Sequence, residues 1–204
     1  MKLFPRSLTV KEIEAWFALC DLHQPTGLAD RAVYELAYGC GLRTGEILAL
    51  DLEDLEIGES QIKVRGGKTG GRVLPVPGRC LNFVEQYLRD GRPQLPSSQS
   101  SQFALFLSNH GSRLSKQMVY RRIQNRYRPC LEFPEKVSMH ALRHSFATHM
   151  LEGGANIRAV QELLGHQSLD STQIYTRVEP KKLKEALGKA WPKRRLSSGN
   201  NGEI

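Results

Sequence analysis

The 204 residues are 40% hydrophobic and 25% charged, a mixture that suits one soluble globular domain, with or without a tail, large enough to bury a proper core. The net charge of +8 is lopsided: residues 1–60 hold 5 Lys/Arg against 11 Asp/Glu (−6) and residues 61–204 hold 24 against 10 (+14), so a basic face is expected, for a polyanion or simply for solvent. Cys20, Cys40, Cys80 and Cys130 lack C-x-x-C spacing, which excludes a zinc cluster or disulfide framework, and neither a cleavable leader nor a bilayer-spanning run is present, which fits a reducing cytoplasm.

Thr9-Val10-Lys11-Glu12 is a capping box, and Ile13, Trp16, Phe17 and Leu19 follow at helical spacing, so a helix is predicted from Thr9 to about Cys20. Pro25, Thr26 and Gly27 break it. Leu28, Ala32, Val33, Leu36 and Ala37 give a second helix that Gly39 and Gly41 end. Thr44 can cap a short third helix, which leaves Arg43 rigidly held and exposed at its entrance. Residues 61–65 and 72–76 read as strands joined by the flexible tip Gly66-Gly67-Lys68-Thr69-Gly70-Gly71, with Pro75 confining the second strand to an edge or an end.

Phe83, Val84, Tyr87 and Leu88 predict another helix, stopped by Gly91 and Pro93. Residues 91–102, rich in Pro, Ser and Gln, read as a surface loop within one domain, and Phe103 to Leu107 as a third strand. Ser115 can cap a helix through about Tyr127. From Arg113 to Arg128 there is no acid, and Arg113, Lys116, Arg121, Arg122, Arg126 and Arg128 make a basic face suited to phosphates, or a helix kept soluble by charge. Helices at 139–153 and 156–164 flank Gly153-Gly154. An amphipathic helix over 180–190 precedes a disordered tail over 192–204.

The chemistry-bearing residues lie late in the chain. His140-Ala141-Leu142-Arg143-His144 puts His140 and Arg143 one turn apart, able to point at one spot. A zinc-protease reading of His140 and His144 requires a Glu after the first histidine, and Ala141 stands there, so no metal is expected. Further on, Gly165 ends a helix, and His166 and Tyr175 sit nine residues apart across a Ser/Asp/Ser/Thr turn. A histidine and a phenol can then face one small anionic site, unless Tyr175 is simply a core residue whose hydroxyl finds a partner.

Taken together, Gly41-Leu42-Arg43-Thr44-Gly45-Glu46-Ile47, the glycine-rich turn with Lys68, His140-x-x-Arg143, Leu163-Leu164-Gly165-His166 and Thr172-Gln173-Ile174-Tyr175-Thr176 resemble the catalytic domain of the tyrosine recombinases, close to the Xer type. The resemblance covers about residues 7–190. It implies a mixed α+β, mainly helical fold, with helices packed around a small three-stranded antiparallel sheet, in a catalytic domain over residues 1–191. The family's N-terminal helical core-binding domain is absent from this chain, as in a short recombinase or an excised fragment.

Carried over, the family's two arginines fall on Arg43 and Arg143, its lysine on Lys68, its histidine positions on His140 and His166, and its nucleophile on Tyr175. Lys68 lies seven residues before Pro75, one closer than the Xer pattern, and Arg65 and Arg72 flank the same tip and could substitute in binding. The chemistry agrees. Two guanidiniums can fork onto a phosphodiester's non-bridging oxygens without a metal. A tyrosine hydroxyl ordinarily titrates near pH ~10, so Tyr175 needs a base such as His140, and Lys68 can protonate the departing 5′-oxygen. His166 would hold a phosphate oxygen. Glu46 either orients an active-site basic group or pairs on the surface.

The implied function is site-specific DNA strand exchange through a 3′-phosphotyrosyl intermediate, with double-stranded DNA as partner and neither cofactor nor membrane. The expected location is cytoplasmic, at the nucleoid. A homodimer or tetramer on DNA, built through helix 180–190, is expected. Two other readings share the residues: a catalytically idle DNA-binding accessory protein, and a topoisomerase IB-like nicking and closing activity.

Overall fold

The computed structural model describes residues 7–65 and 71–165. Lys68, His166, Tyr175, helix 180–190 and the 192–204 tail lie outside the described residues. Seven α-helices are described: α1 (Val10–Ala18), α2 (Pro25–Gly39), α3 (Thr44–Ala49), α4 (Gly78–Gln86), α5 (Lys116–Arg122), α6 (Met139–Glu152) and α7 (Ile157–Leu164). Among them stand three short strands, β1 (Leu55–Glu56), β2 (Gln61–Val64) and β3 (Arg72–Pro75). No helix among the described residues is long and apolar enough to cross a membrane.

α2 is the hub. Every residue from Gly27 to Gly39 is buried, because α4, α6 and the turn Tyr87–Gly91 that continues α4 all pack against it. The helix begins at Pro25, earlier than its apolar stripe predicts, since proline suits the first helical position where no N–H partner is needed. α1 closes one side. Its capping box is formed as expected, with the Thr9 N–H donating to Glu12 and the Glu12 N–H to the Thr9 hydroxyl. Trp16 and Phe17 then meet Tyr34 of α2 at ring-centroid distances of 4.9 and 6.0 Å.

The sheet is antiparallel in the order β1-β2-β3, with Ile62 opposite both Leu55 and Leu74. Ile62 and Val64 face the core while Lys63 between them is exposed, the period of two expected of a half-buried strand. Among the described residues β3 is an edge strand, which accommodates Pro75.

One expected strand is replaced by another. Residues 103–107 make only isolated bridges, Asp51 to Ala104 and Leu107 to Arg113. Phe103 is exposed, and Ala104 to Leu107 form a buried connection, pinned by Arg92 donating to the Ala104 carbonyl and by the Leu107 N–H donating to Tyr87 Oη. The third strand is the two-residue β1, too short to leave an alternating pattern.

α5 continues without interruption through a π-turn over Ile123–Tyr127, so the helical path reaches Tyr127 as its composition predicts. α6 and α7 are joined across Gly153-Gly154. Leu8, ahead of α1, is laid against α6, its N–H donating to Ser145 Oγ at 2.8 Å.

Candidate active site

The first part of the site is the turn into α3. Gly41 takes φ +63°, and a Cβ there would stand 2.5 Å from the Phe146 ring of α6, so only glycine lets this turn close down on α6. Arg43, in extended conformation, is the N-cap residue, with Thr44 the first helical residue. Glu46, three residues on, reaches back to accept the Arg43 N–H at 2.7 Å and Arg43 Nη1 at 3.2 Å. This one-sided cap, with Glu46 reaching back to the Arg43 N–H, makes Arg43 rather than the predicted Thr44 the capping position.

α6 supplies the second part. Ser138 caps it, accepting the Ala141 N–H at 3.1 Å, which places His140 in the first turn and Arg143 one turn later. His140 is exposed, and Arg143 is buried. Arg143 Nη1 donates to the Gly41 carbonyl and Nη2 to the Leu164 carbonyl at 2.6 Å. Among the described residues these bonds take two of its five N–H donors. Burial and the neighbouring charge of Arg43 push Arg143 down to about 10, with Arg72 adding to the effect and Glu46 opposing it. It stays cationic at neutral pH.

The third part is the C-terminal end of α7. Gly165 adopts the left-handed conformation that ends the helix (φ 61°, ψ 42°). Three successive carbonyls each receive one guanidinium: Leu163 from Arg72 Nε at 3.4 Å, Leu164 from Arg143, and Gly165 from Arg43 Nη2 at 3.5 Å. These are carbonyls a helix leaves without internal partners, at the negative end of its dipole. The chain continues into His166 one peptide further on.

Glu46 ties the three arginines together. Arg72, the first residue of β3, places Nη1 2.9 Å from Oε1 and Nη2 3.1 Å from Oε2, and Arg143 Nη1 stands 3.9 Å from Oε2. Burial alone would raise the Glu46 carboxyl, but the bonds from Arg72 and from the Arg43 N–H, with both charges, hold it below the usual carboxylate range. Three guanidiniums against one carboxylate leave a net +2, and the Arg43 side chain is 47% exposed. That arrangement can bind a phosphodiester and stabilise added charge on it.

Arg43, Arg143 and Glu46 are therefore brought together as the sequence suggested. Arg72 was not singled out as part of this cluster. Its only mark in the sequence is that it opens the strand after the glycine-rich tip, while the contacts that define it reach back 26 residues to Glu46 and forward 91 to Leu163. Arg65, its counterpart across the tip, is held by Asp51, Glu53 and Asp54.

The basic stretch divides in two. Arg113 donates to the Leu48 and Leu50 carbonyls and pairs with Asp51. Arg122 donates to buried Asp30 at 2.7 Å, beside the Tyr127 hydroxyl at 2.7 Å and Arg126 at 3.9 Å. Arg128 binds the Pro134 carbonyl and Gln124. Lys116, Gln117, Tyr120 and Arg121, by contrast, are exposed. The end of the Lys116 side chain lies 3.1 Å from where a Cβ on Gly45 would stand, so the exposed side of α5 runs on from the Arg43 turn.

Comparison with known proteins gives the family. Residues 6–182 match the phage integrase family. The chain is 40% identical over 195 residues to the tyrosine recombinase XerC of Pelotomaculum thermopropionicum, covering 94% of this chain and 63% of that one. It is 37% identical over 189 residues to the tyrosine recombinase XerD of Lacticaseibacillus casei, with 93% and 64% covered. It thus spans just under two thirds of the length of these curated relatives. Among solved structures, the XerA recombinase superposes with a TM-score of 0.71 at 29% identity, over 95% of this chain and 68% of that one. The XerH recombinase bound to palindromic difH substrate, a post-cleavage complex, gives 0.66 at 25%, over 90% and 53%. An arginine cluster set on the end of α7, within a chain matched over most of its length, leads to one statement of kinship: this protein belongs to the phage integrase family.

Proposed function

We propose that this chain is the catalytic part of a site-specific recombinase that cuts and rejoins DNA through a 3′-phosphotyrosyl intermediate. The observation that carries the reading is the net +2 cluster of Arg43, Arg72, Arg143 and Glu46 on the end of α7. Its cationic forks suit the two non-bridging oxygens of one phosphate.

In this reading the Tyr175 oxygen attacks phosphorus, its proton passing to His140, and the phosphorus–5′-oxygen bond breaks as Lys68 protonates the leaving oxygen. Arg43 and Arg143 stabilise the charge that develops, and His166 holds a phosphate oxygen. The phosphotyrosyl ester keeps the bond energy. A 5′-hydroxyl from a partner strand can then reverse the step and reseal DNA without ATP. Lys116, Gln117, Tyr120 and Arg121 extend the site along the duplex, and a dimer or tetramer brings two sites together.

The test is a nicked duplex built on a sequence enriched from a random duplex pool by binding to the full chain. The expected result is a covalent protein–DNA species that Tyr175→Phe abolishes, with recombinants only when two sites are supplied. No covalent species would favour an idle binding protein, and covalent species that only relax supercoils would favour nicking and closing. Sedimentation showing one subunit per duplex would remove the assembly claim.

A further inference from the structure

Arg72 carries a full charge but is poorly placed to meet DNA, its side chain only 22% exposed. Both ends of its fork are spent on the two oxygens of Glu46, and its Nε reaches the Leu163 carbonyl. A carboxylate offers about four lone-pair positions. On Glu46 these are met by Arg72 Nη1, Arg72 Nη2, the Arg43 N–H and Arg43 Nη1. Arg143 Nη1 stops at 3.9 Å, beyond hydrogen-bond reach.

We propose that Arg72 is a positioning residue that saturates Glu46, so that Arg143 remains available to the scissile phosphate. Were Arg72 removed, two positions would open on a carboxylate that has both guanidiniums beside it. Arg143 needs to move by about 1 Å to form a hydrogen-bonded pair there. Its charge would then be compensated by Glu46 and its fork turned from the phosphate. Arg72 also fixes β3, at the foot of the tip that bears Lys68, to the last turn of α7. The proposal rests on the recombinase reading above, and deepens it by adding a residue that acts through Glu46.

The experiment is a double-mutant cycle on the nicked duplex described above, reading single-turnover formation of the covalent species and, separately, duplex affinity. Arg72→Gln is expected to slow cleavage about a hundredfold, the usual effect of a reacting group displaced by about 1 Å, with affinity changed less than about threefold. In a Glu46→Gln background, where no carboxylate waits to capture Arg143, the same change should cost less than about threefold. Arg72→Lys keeps the charge and loses the fork, so it should retain most of the defect, and it carries the test if the glutamine variant melts early.

Wild-type cleavage with unimpaired Arg72→Gln would overturn this proposal and leave the recombinase reading standing. So would independent, multiplicative effects in the cycle, a defect seen only in affinity, or full activity of Arg72→Lys. Failure of the wild type itself to form a Tyr175-dependent species would instead remove the reading beneath it.

Discussion

Arg143 donates to the Leu164 carbonyl at 2.6 Å, joining the first half of α6 to the last turn of α7. The same guanidinium holds the Gly41 carbonyl, so one side chain sets the distance between three elements. Arg143→Lys cannot bridge two carbonyls and still present a fork. Single-turnover cleavage should fall roughly 10²–10³-fold, the range for losing one oriented charge donor. The unpaired carbonyls should cost about 1–3 kcal/mol by denaturant unfolding. A lysine variant that cleaves at the wild-type rate would show that the fork is not needed.

Gly165 concentrates two constraints. Its φ of +61° costs an ordinary residue about 1–2 kcal/mol, and a Cβ there would lie 3.0 Å from the Arg72 guanidinium carbon. Gly165→Ala should therefore lower the melting temperature by several degrees and slow cleavage together, because Arg72 must give way. Calorimetry and the suicide duplex read the two effects. Slower cleavage with no change in melting would argue against backbone strain as the cause.

The charges of α5 should separate into two kinds. Lys116→Ala and Arg121→Ala should each lower the slope of log affinity against log salt by about 0.9, with stability unchanged to within about 0.5 kcal/mol. Arg122→Ala should leave the slope alone and destabilise the fold by about 3 kcal/mol, since it strands buried Asp30 with part of its pairing gone. Burial already pushes the Asp30 carboxyl up despite Arg122 and Tyr127. Titrations at several salt concentrations and urea melts of the same proteins check both halves.

His149 gives a pH prediction. Its ring sits 2.8 Å from the Tyr38 hydroxyl. Burial lowers its pKa below the ordinary histidine value of 6.5. The unfolded chain therefore takes up this proton first, so the contribution to stability is intact above pH 6.5 and is lost as the pH falls through the folded value. Wild-type stability should decline in that window, and His149→Gln should flatten the decline while costing about 1–3 kcal/mol at pH 8. Urea midpoints between pH 5 and 8 measure this. A wild-type midpoint unchanged over that range would refute it.

What the sequence revealed was what local geometry determines. The Thr9 capping box, the entrance of α3 at Arg43 and the one-turn spacing of His140 and Arg143 follow from short-range rules and appear in the structure. The strand expected at residues 103–107 failed because a short apolar run reads alike as a strand or as a buried connection. The place of Arg72 and the diversion of Arg113 and Arg122 into internal pairs depend on partners 26, 62 and 92 residues away. No periodicity records such distances. Lys68, His166 and Tyr175 rest on the resemblance and lie outside the described residues.

Because three neighbouring carbonyls of α7 each hold a different arginine, the length of that helix is a dimension of the site. Adding or deleting one residue within Ile157–Leu164 would rotate its final turn by about 100° and shift it by about 1.5 Å. The three acceptors would then point away from the cations they now receive. Insertions belong in the Gly153-Gly154 turn instead, where the helical phase starts afresh.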